Sequence, residues 1–167
     1  MPPIFDAVSK GDLPRFKLEL EQALKRNYPV NEQYLGYTVA TFAAEKGRLA
    51  MLRHLVERAM PVGQHDFRGR TPLHDAAAGG HGSAVEFLLL QLGVDGQARN
   101  SLGENASHLA EHFRHPDVVA LLARHGVTPV QGLHLTEWQI AGERGRSGQV
   151  VASERPRREL ARGGPTH

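Results

Sequence analysis

The sequence predicts an all-α solenoid, a stack of helix–turn–helix units joined by short β-hairpin-type loops. Three observations predict it. A glycine-led block recurs at a spacing of about 33 residues, a period that belongs to repeat architectures. Within the blocks, small alanines sit between a polar start and a closing glycine, as a short helix with a cap at each end requires. After each block comes an apolar stripe at helical spacing.

The elements can be taken in chain order. Ile4-Phe-Asp-Ala-Val-Ser-Lys-Gly11 reads as a first inner helix without a preceding hairpin. Gly36-Tyr-Thr-Val-Ala-Thr-Phe-Ala-Ala-Glu-Lys-Gly47 is the second block, and Gly69-Arg-Thr-Pro-Leu-His-Asp-Ala-Ala-Ala-Gly-Gly-His81 lies 33 residues on, with Thr38 matching Thr71 and Gly47 matching Gly80. Gly103-Glu-Asn-Ala-Ser-His108-Leu-Ala comes after a spacing of 34, which implies one extra residue in the preceding helix near Leu90. Pro72 fits the first helical position, where a missing N–H costs nothing. Thr71 is a good N-cap, whereas the starts at Thr38 and Asn105 lack the Thr-Pro pair and predict weaker caps. Second helices are predicted from the stripes Leu49, Leu52, Leu55 and Val56; Val85, Leu88 and Leu89; and Val118, Val119, Leu121 and Leu122.

Thr71-Pro72-Leu73-His74 and its surroundings closely resemble the ankyrin signature. The resemblance implies an ankyrin-repeat solenoid with repeats at about 3–35, 36–68, 69–102 and 103–127. Residues 128–141, with Val130, Leu133, Leu135, Trp138 and Ile140, are expected to cap the open end of the stack. Residues 142–167 are rich in Gly, Arg, Ser, Glu and Pro, and are expected to form a disordered basic tail.

Composition excludes several function classes. No cysteine is present, so disulfides, thiolate metal sites and cysteine nucleophiles are absent. The longest strongly apolar run, Val85 to Leu90, is far short of a bilayer span. The start Met1-Pro2-Pro3-Ile4-Phe5-Asp6 has no signal core, so the cytoplasm is expected. Only four lysines stand among 20 Lys and Arg, a usage read as bacterial. The calculated pI near 9.2 suggests a nucleic-acid binder, but the surplus of +2 lies wholly in the tail. A balanced body gives little phosphate attraction, so no nucleic acid is expected as a partner.

Catalytic lookalikes are present. His108-Leu-Ala-Glu111-His112 reads as H-x-x-E-H, an inverted zinc-protease motif, and supports the alternative of a metal-dependent hydrolase. That motif also needs a distant downstream carboxylate ligand, and about half of the chain beyond His112 is the expected disordered tail. His108 also falls where His74 falls in its repeat, and the resemblance implies a ring that bonds backbone and braces neighbours. His74, Asp75 and Ser83 suggest a triad, but no oxyanion hole or nucleophile elbow accompanies them. The Gly142–Gly148 stretch lacks the strand and helix that flank a phosphate loop. No metal, cofactor or catalytic residue is therefore expected.

What remains is surface. The resemblance implies that a partner meets the hairpin tips and inner helices of the concave face. The corresponding residues are Tyr34, Leu35 and Tyr37; Asp66, Phe67, Arg68 and Arg70; Ser101, Leu102 and Glu104; and His112 and Phe113. Aromatic and arginine side chains there are of the kind that dominates interfaces. The expected function is non-catalytic binding of another protein by a chain that is monomeric when unbound. Inhibition of a cognate toxin or enzyme, as by an immunity protein, is one form. An adaptor or secreted effector that engages a host protein is another.

Overall fold

A computed structural model describes residues 1–27 and 34–130. The tail, the part of the expected capping segment from residue 131 onward, and residues 28–33 of the first expected repeat lie outside the described residues. Eight α-helices form four pairs among the described residues. They are α1 (Pro3–Lys10) with α2 (Leu13–Lys25), α3 (Val39–Glu45) with α4 (Leu49–Glu57), α5 (Pro72–Ala78) with α6 (Gly82–Glu86), and α7 (Ala106–His112) with α8 (Pro116–Arg124). The odd-numbered helices stack on one another in chain order as an inner row.

Small side chains make that row possible. Ala7, Ala43, Ala44, Ala76, Ala77, Ala106 and Ala110 are fully buried, so neighbouring helix axes approach closely. The second helices close the core from outside with Phe16 and Leu20, Met51, Leu52 and Leu55, Val85 and Leu88, and Val118 and Leu122. No pair could bury these groups alone, so each repeat is stable only against its neighbours. The extra residue expected near Leu90 coincides with a π-helical turn, Phe87–Gln91, that continues α6. Such a turn takes up one additional residue without ending the helix.

Long polar side chains tie the inner row together by reaching back one repeat. Arg48 donates from Nε to the Val8 carbonyl and from Nη2 to that of Ser9. His81 Nε2 bonds the Glu45 carbonyl at 2.9 Å, and His115 Nε2 bonds the Ala78 carbonyl at 3.0 Å. Each satisfies carbonyls left over at an inner helix's C-terminal end. The His115 ring lies where a side chain on Gly80 would stand, and Gly80 has φ +74°, so glycine is needed there on both counts.

The inner helices α3, α5 and α7 start in three different ways. Thr71 N–H and Oγ1 both meet His74 Nδ1, at 3.1 and 2.9 Å. At α3 the hydroxyl of Thr41 takes the place of that ring: Thr38 N–H donates to Thr41 Oγ1, and Thr41 N–H donates back to Thr38 Oγ1. The weaker cap expected there is thus a complete reciprocal box, because the threonine three residues on supplies the second acceptor. At α7 the Asn105 carboxamide oxygen accepts from His108 N–H, and Asn105 Nδ2 donates to the Thr128 carbonyl.

Candidate functional site

The loops before α3, α5 and α7 project as fingers, and their construction decides what they can present. In the second finger, Asp66 Oδ1 accepts from the N–H groups of both Arg68 and Arg70 at 2.8 Å, and Asp66 N–H donates to the Arg70 carbonyl. The third finger repeats this with Asn100, whose Oδ1 accepts from Leu102 and Glu104 N–H. A short polar side chain bonding the backbone ahead of it is a natural turn former. In the first finger Tyr34 and Tyr37 exchange both backbone hydrogen bonds, and Leu35 (φ 51°) and Gly36 (φ 86°) form the turn. Adjacent tips are linked as well: Phe67 N–H donates to the Gly36 carbonyl, and Ser101 N–H to that of Arg68.

The residues expected on the partner face divide into two groups. Leu35 is 74% exposed, Phe67 62% and Leu102 59%; Ser101, His112 and Phe113 are also exposed. Asp66 and Glu104, expected on the same face, are instead buried at 5% and 7% because they hold their own fingers closed. Glu104 Oε2 accepts from Asn100 Nδ2, and Asp66 Oδ2 from Arg68 Nε. Tyr34 and Tyr37 are half-buried. Tyr34 packs against Phe5 at 5.2 Å between ring centroids, and Tyr37 meets Phe42 and Phe67 edge-on. Arg70 turns inward toward Asp75.

Arg68 is the centre of this arrangement. Its guanidinium carbon lies 4.8 Å from the Tyr37 ring centroid and 5.2 Å from that of Phe67. Attraction of a cation to two ring faces and the Asp66 bond fix its position. Asp75, from α5 beneath, stands 3.9 Å from Arg68 and 3.6 Å from Arg70, and neither of its buried oxygens has a hydrogen-bond partner. Burial, with the charge of Asp66, raises its pKa to about 7 against the pull of Arg70 and Arg68. In the sequence alone Asp75 stands only in a weak triad, and this role goes unseen. The available signal was a carboxylate between buried Leu73 and Ala76, preceded by two arginines in the same finger.

The histidines separate by role. His74 has both ring nitrogens occupied, Nδ1 by Thr71 and Nε2 by the Glu104 carbonyl at 3.0 Å. It is the brace between repeats that the resemblance implies. His108 is a different case: Nδ1 is buried without a hydrogen bond, and Nε2 lies 3.7 Å from Glu104 Oε1. His112 is exposed, edge-on to Phe113 at 5.0 Å. Among the described residues no three His, Asp or Glu side chains converge as a metal site would require. No helix among them is long and apolar enough to cross a membrane.

Known proteins share this pattern. A family model of ankyrin repeats, in three copies, matches residues 4–100. The mouse mitochondrial liver isoform of glutaminase is 38% identical over 81 residues, 48% of this chain and 14% of the enzyme. An L-asparaginase of Dirofilaria immitis is 42% identical over 65 residues, 39% of this chain and 11% of that protein. A putative ankyrin repeat protein of Rickettsia bellii is 32% identical over 84 residues, 50% of this chain and 45% of that one. The chain therefore spans less than half the length of each of these relatives.

Proposed function

We propose that this chain, which belongs to the ankyrin-repeat family, is a non-catalytic module that binds another protein through its finger tips and inner helices. One observation carries the reading. Large apolar side chains stand exposed at three successive tips, on fingers held rigid by internal and tip-to-tip hydrogen bonds. Rigid aromatic and arginine groups lose little entropy on binding and cover much area. The matches to glutaminase and asparaginase involve a small fraction of those enzymes, and bring no activity with them. The H-x-x-E-H motif gains no support, since the rings of His108 and His112 go to different surroundings.

Occlusion of a cognate toxin or enzyme, in the bacterial cytoplasm, is the form of this function that we favour. The Rickettsia relative fits the bacterial part of it. Replacing Phe67 and Arg68 together by alanine tests the binding face. Pull-down of the partner should be lost while circular dichroism stays native. Undiminished capture by the folded variant sinks the reading. Recovery of the partner's own activity when it is mixed with the variant, and its suppression by the parent protein, tests the inhibitory form.

A further inference from the structure

We propose that the tips around Phe67, Arg68, Arg99 and Leu102 take an acidic, apolar segment of the partner, with a carboxylate on Arg68 and aliphatic or aromatic side chains over Phe67 and Leu102. The inference rests on the protein-binding reading above and names the chemistry of the occupant.

Charge complementarity is the argument. In the second and third fingers, residues 64–70 and 98–104, every carboxylate is turned inward. Asp66 and Glu104 are buried, and their oxygens are engaged by Arg68 Nε, Asn100 Nδ2 and backbone N–H groups. The arginines are not all hidden with them: Arg99 is exposed, and the Arg68 side chain is about one-third exposed. An approaching chain therefore meets cationic groups beside apolar ones, with the compensating acids beneath the surface. This local character is invisible in the overall balance of the molecule, whose formal charge is only +2. On α3, by contrast, Glu45 and Lys46 pair at 3.1 Å, and that floor offers no single sign.

Arg68 is also prepared for an anion. Two aromatic rings and Asp66 hold its guanidinium in place, so few rotamers remain to be lost on binding. A planar guanidinium matches a carboxylate better than an ammonium does. Leu35 extends the apolar part of the face. It is 74% exposed in a left-handed conformation that leucine adopts at a cost, so its own burial does not explain its presence. The three tips are joined by hydrogen bonds in a line, which suits an extended segment laid across them.

The test is selection from a random peptide library on the whole protein, with counter-selection on Phe67→Ala/Leu102→Ala. Peptides that depend on the tips should be enriched in Asp and Glu together with Leu and Phe. A synthetic representative should lose affinity about tenfold or more on Arg68→Glu and weaken with added salt. Arg99→Glu, an exposed position, keeps the test valid if the Arg68 variant misfolds, and should weaken the same peptide. Tip-dependent peptides without an acidic excess, or unaffected by either reversal, overturn the charge assignment and leave protein binding by the tips standing. An absence of tip-dependent peptides overturns both. Arg68-dependent adsorption to phosphatidylserine vesicles with no peptide preference overturns the proposal in favour of a lipid surface.

Discussion

The third repeat and the two that flank it are built from the same parts, but only the third has all of them. Its finger is stapled by Asp66 and its inner helix is started by Thr71 with His74. The fourth keeps the finger staple, through Asn100, but replaces the Thr–His start by Asn105, and His108 is left with an unbonded Nδ1. The second keeps a complete start, Thr38 with Thr41, but turns its finger with Leu35 at φ 51°. A repeat is therefore not a unit of fixed stability. The same position contributes strongly or weakly according to the residue three places before it and the carbonyl it faces in the next repeat.

The sharpest way to break this comparison is to delete the two equivalent histidines. His74→Ala leaves the Glu104 carbonyl without its donor and Thr71 without its acceptor, in a site from which water is excluded. It should cost about 2–4 kcal/mol in urea denaturation. His108→Ala should cost only about 0.5 kcal/mol, because its Nδ1 makes no hydrogen bond and its Nε2 meets only the Glu104 carboxylate, at 3.7 Å. Equal costs would mean that the two repeats are equivalent after all. Acid should act on the same bond. Burial, opposed by the bond to the Glu104 carbonyl and aided by the charge of Arg70, holds the His74 pKa below its ordinary 6.5; a protonated ring would also put a donor against Thr71 N–H. The stability it contributes is present above the unfolded value and is lost as pH falls below that value.

Asp75, the next residue, titrates the other way. Its carboxyl is pushed up from 3.8 to about 7, first by burial and then by Asp66. A raised pKa means that the folded chain holds the proton more tightly than the unfolded one. The associated stability is complete below the unfolded value and is lost as pH rises through about 7. Asp75→Asn keeps the shape and removes the charge. It should raise stability by on the order of 1–2 kcal/mol at pH 8, and by less at pH 5. Denaturation midpoints at the two pH values read this directly. A variant less stable than the parent at pH 8 would show that the ion pairs with Arg68 and Arg70 outweigh the cost of burial. The contrast with the fourth repeat is again local, since Leu109 stands at the matching position there.

Much of this fold was legible in the sequence, because periodicity and capping are local. The glycine spacing, the alanine pairs and the Thr71-Pro72 start identify inner helices from a few neighbouring residues, and the extra residue near Leu90 surfaces as the π-helical turn. The candidate site was less legible, because its division into presenting and supporting residues depends on side-chain direction. Asp66 and Phe67 are adjacent in the same finger, yet one is buried and the other exposed. Nothing in their types alone assigns those roles. The bonds of Arg48, His81 and His115 to carbonyls of the preceding repeat were invisible for the same reason: each joins residues 36 to 40 positions apart.

The smallest expected effect concerns the second repeat's finger. Leu35 and Gly36 both have positive φ, the combination of a type I′ turn, in which Asn-Gly is the favoured pair. Glycine meets the requirement at the second position, where a side chain would collide with the Phe67 ring. Leucine at the first does not, since its Cβ is strained in the left-handed region. At 74% exposure it recovers little by burial. Leu35→Asn should therefore stabilise the protein by up to about 1 kcal/mol, seen as a small rise in Tm. The same variant should bind the partner more weakly, because an apolar tip has been removed. Opposite movements of stability and affinity would show that the second finger differs from the Asp66 and Asn100 fingers for the sake of what it presents. An unchanged affinity with a raised Tm would reduce Leu35 to a tolerated local strain, and confine the binding face to the second and third fingers.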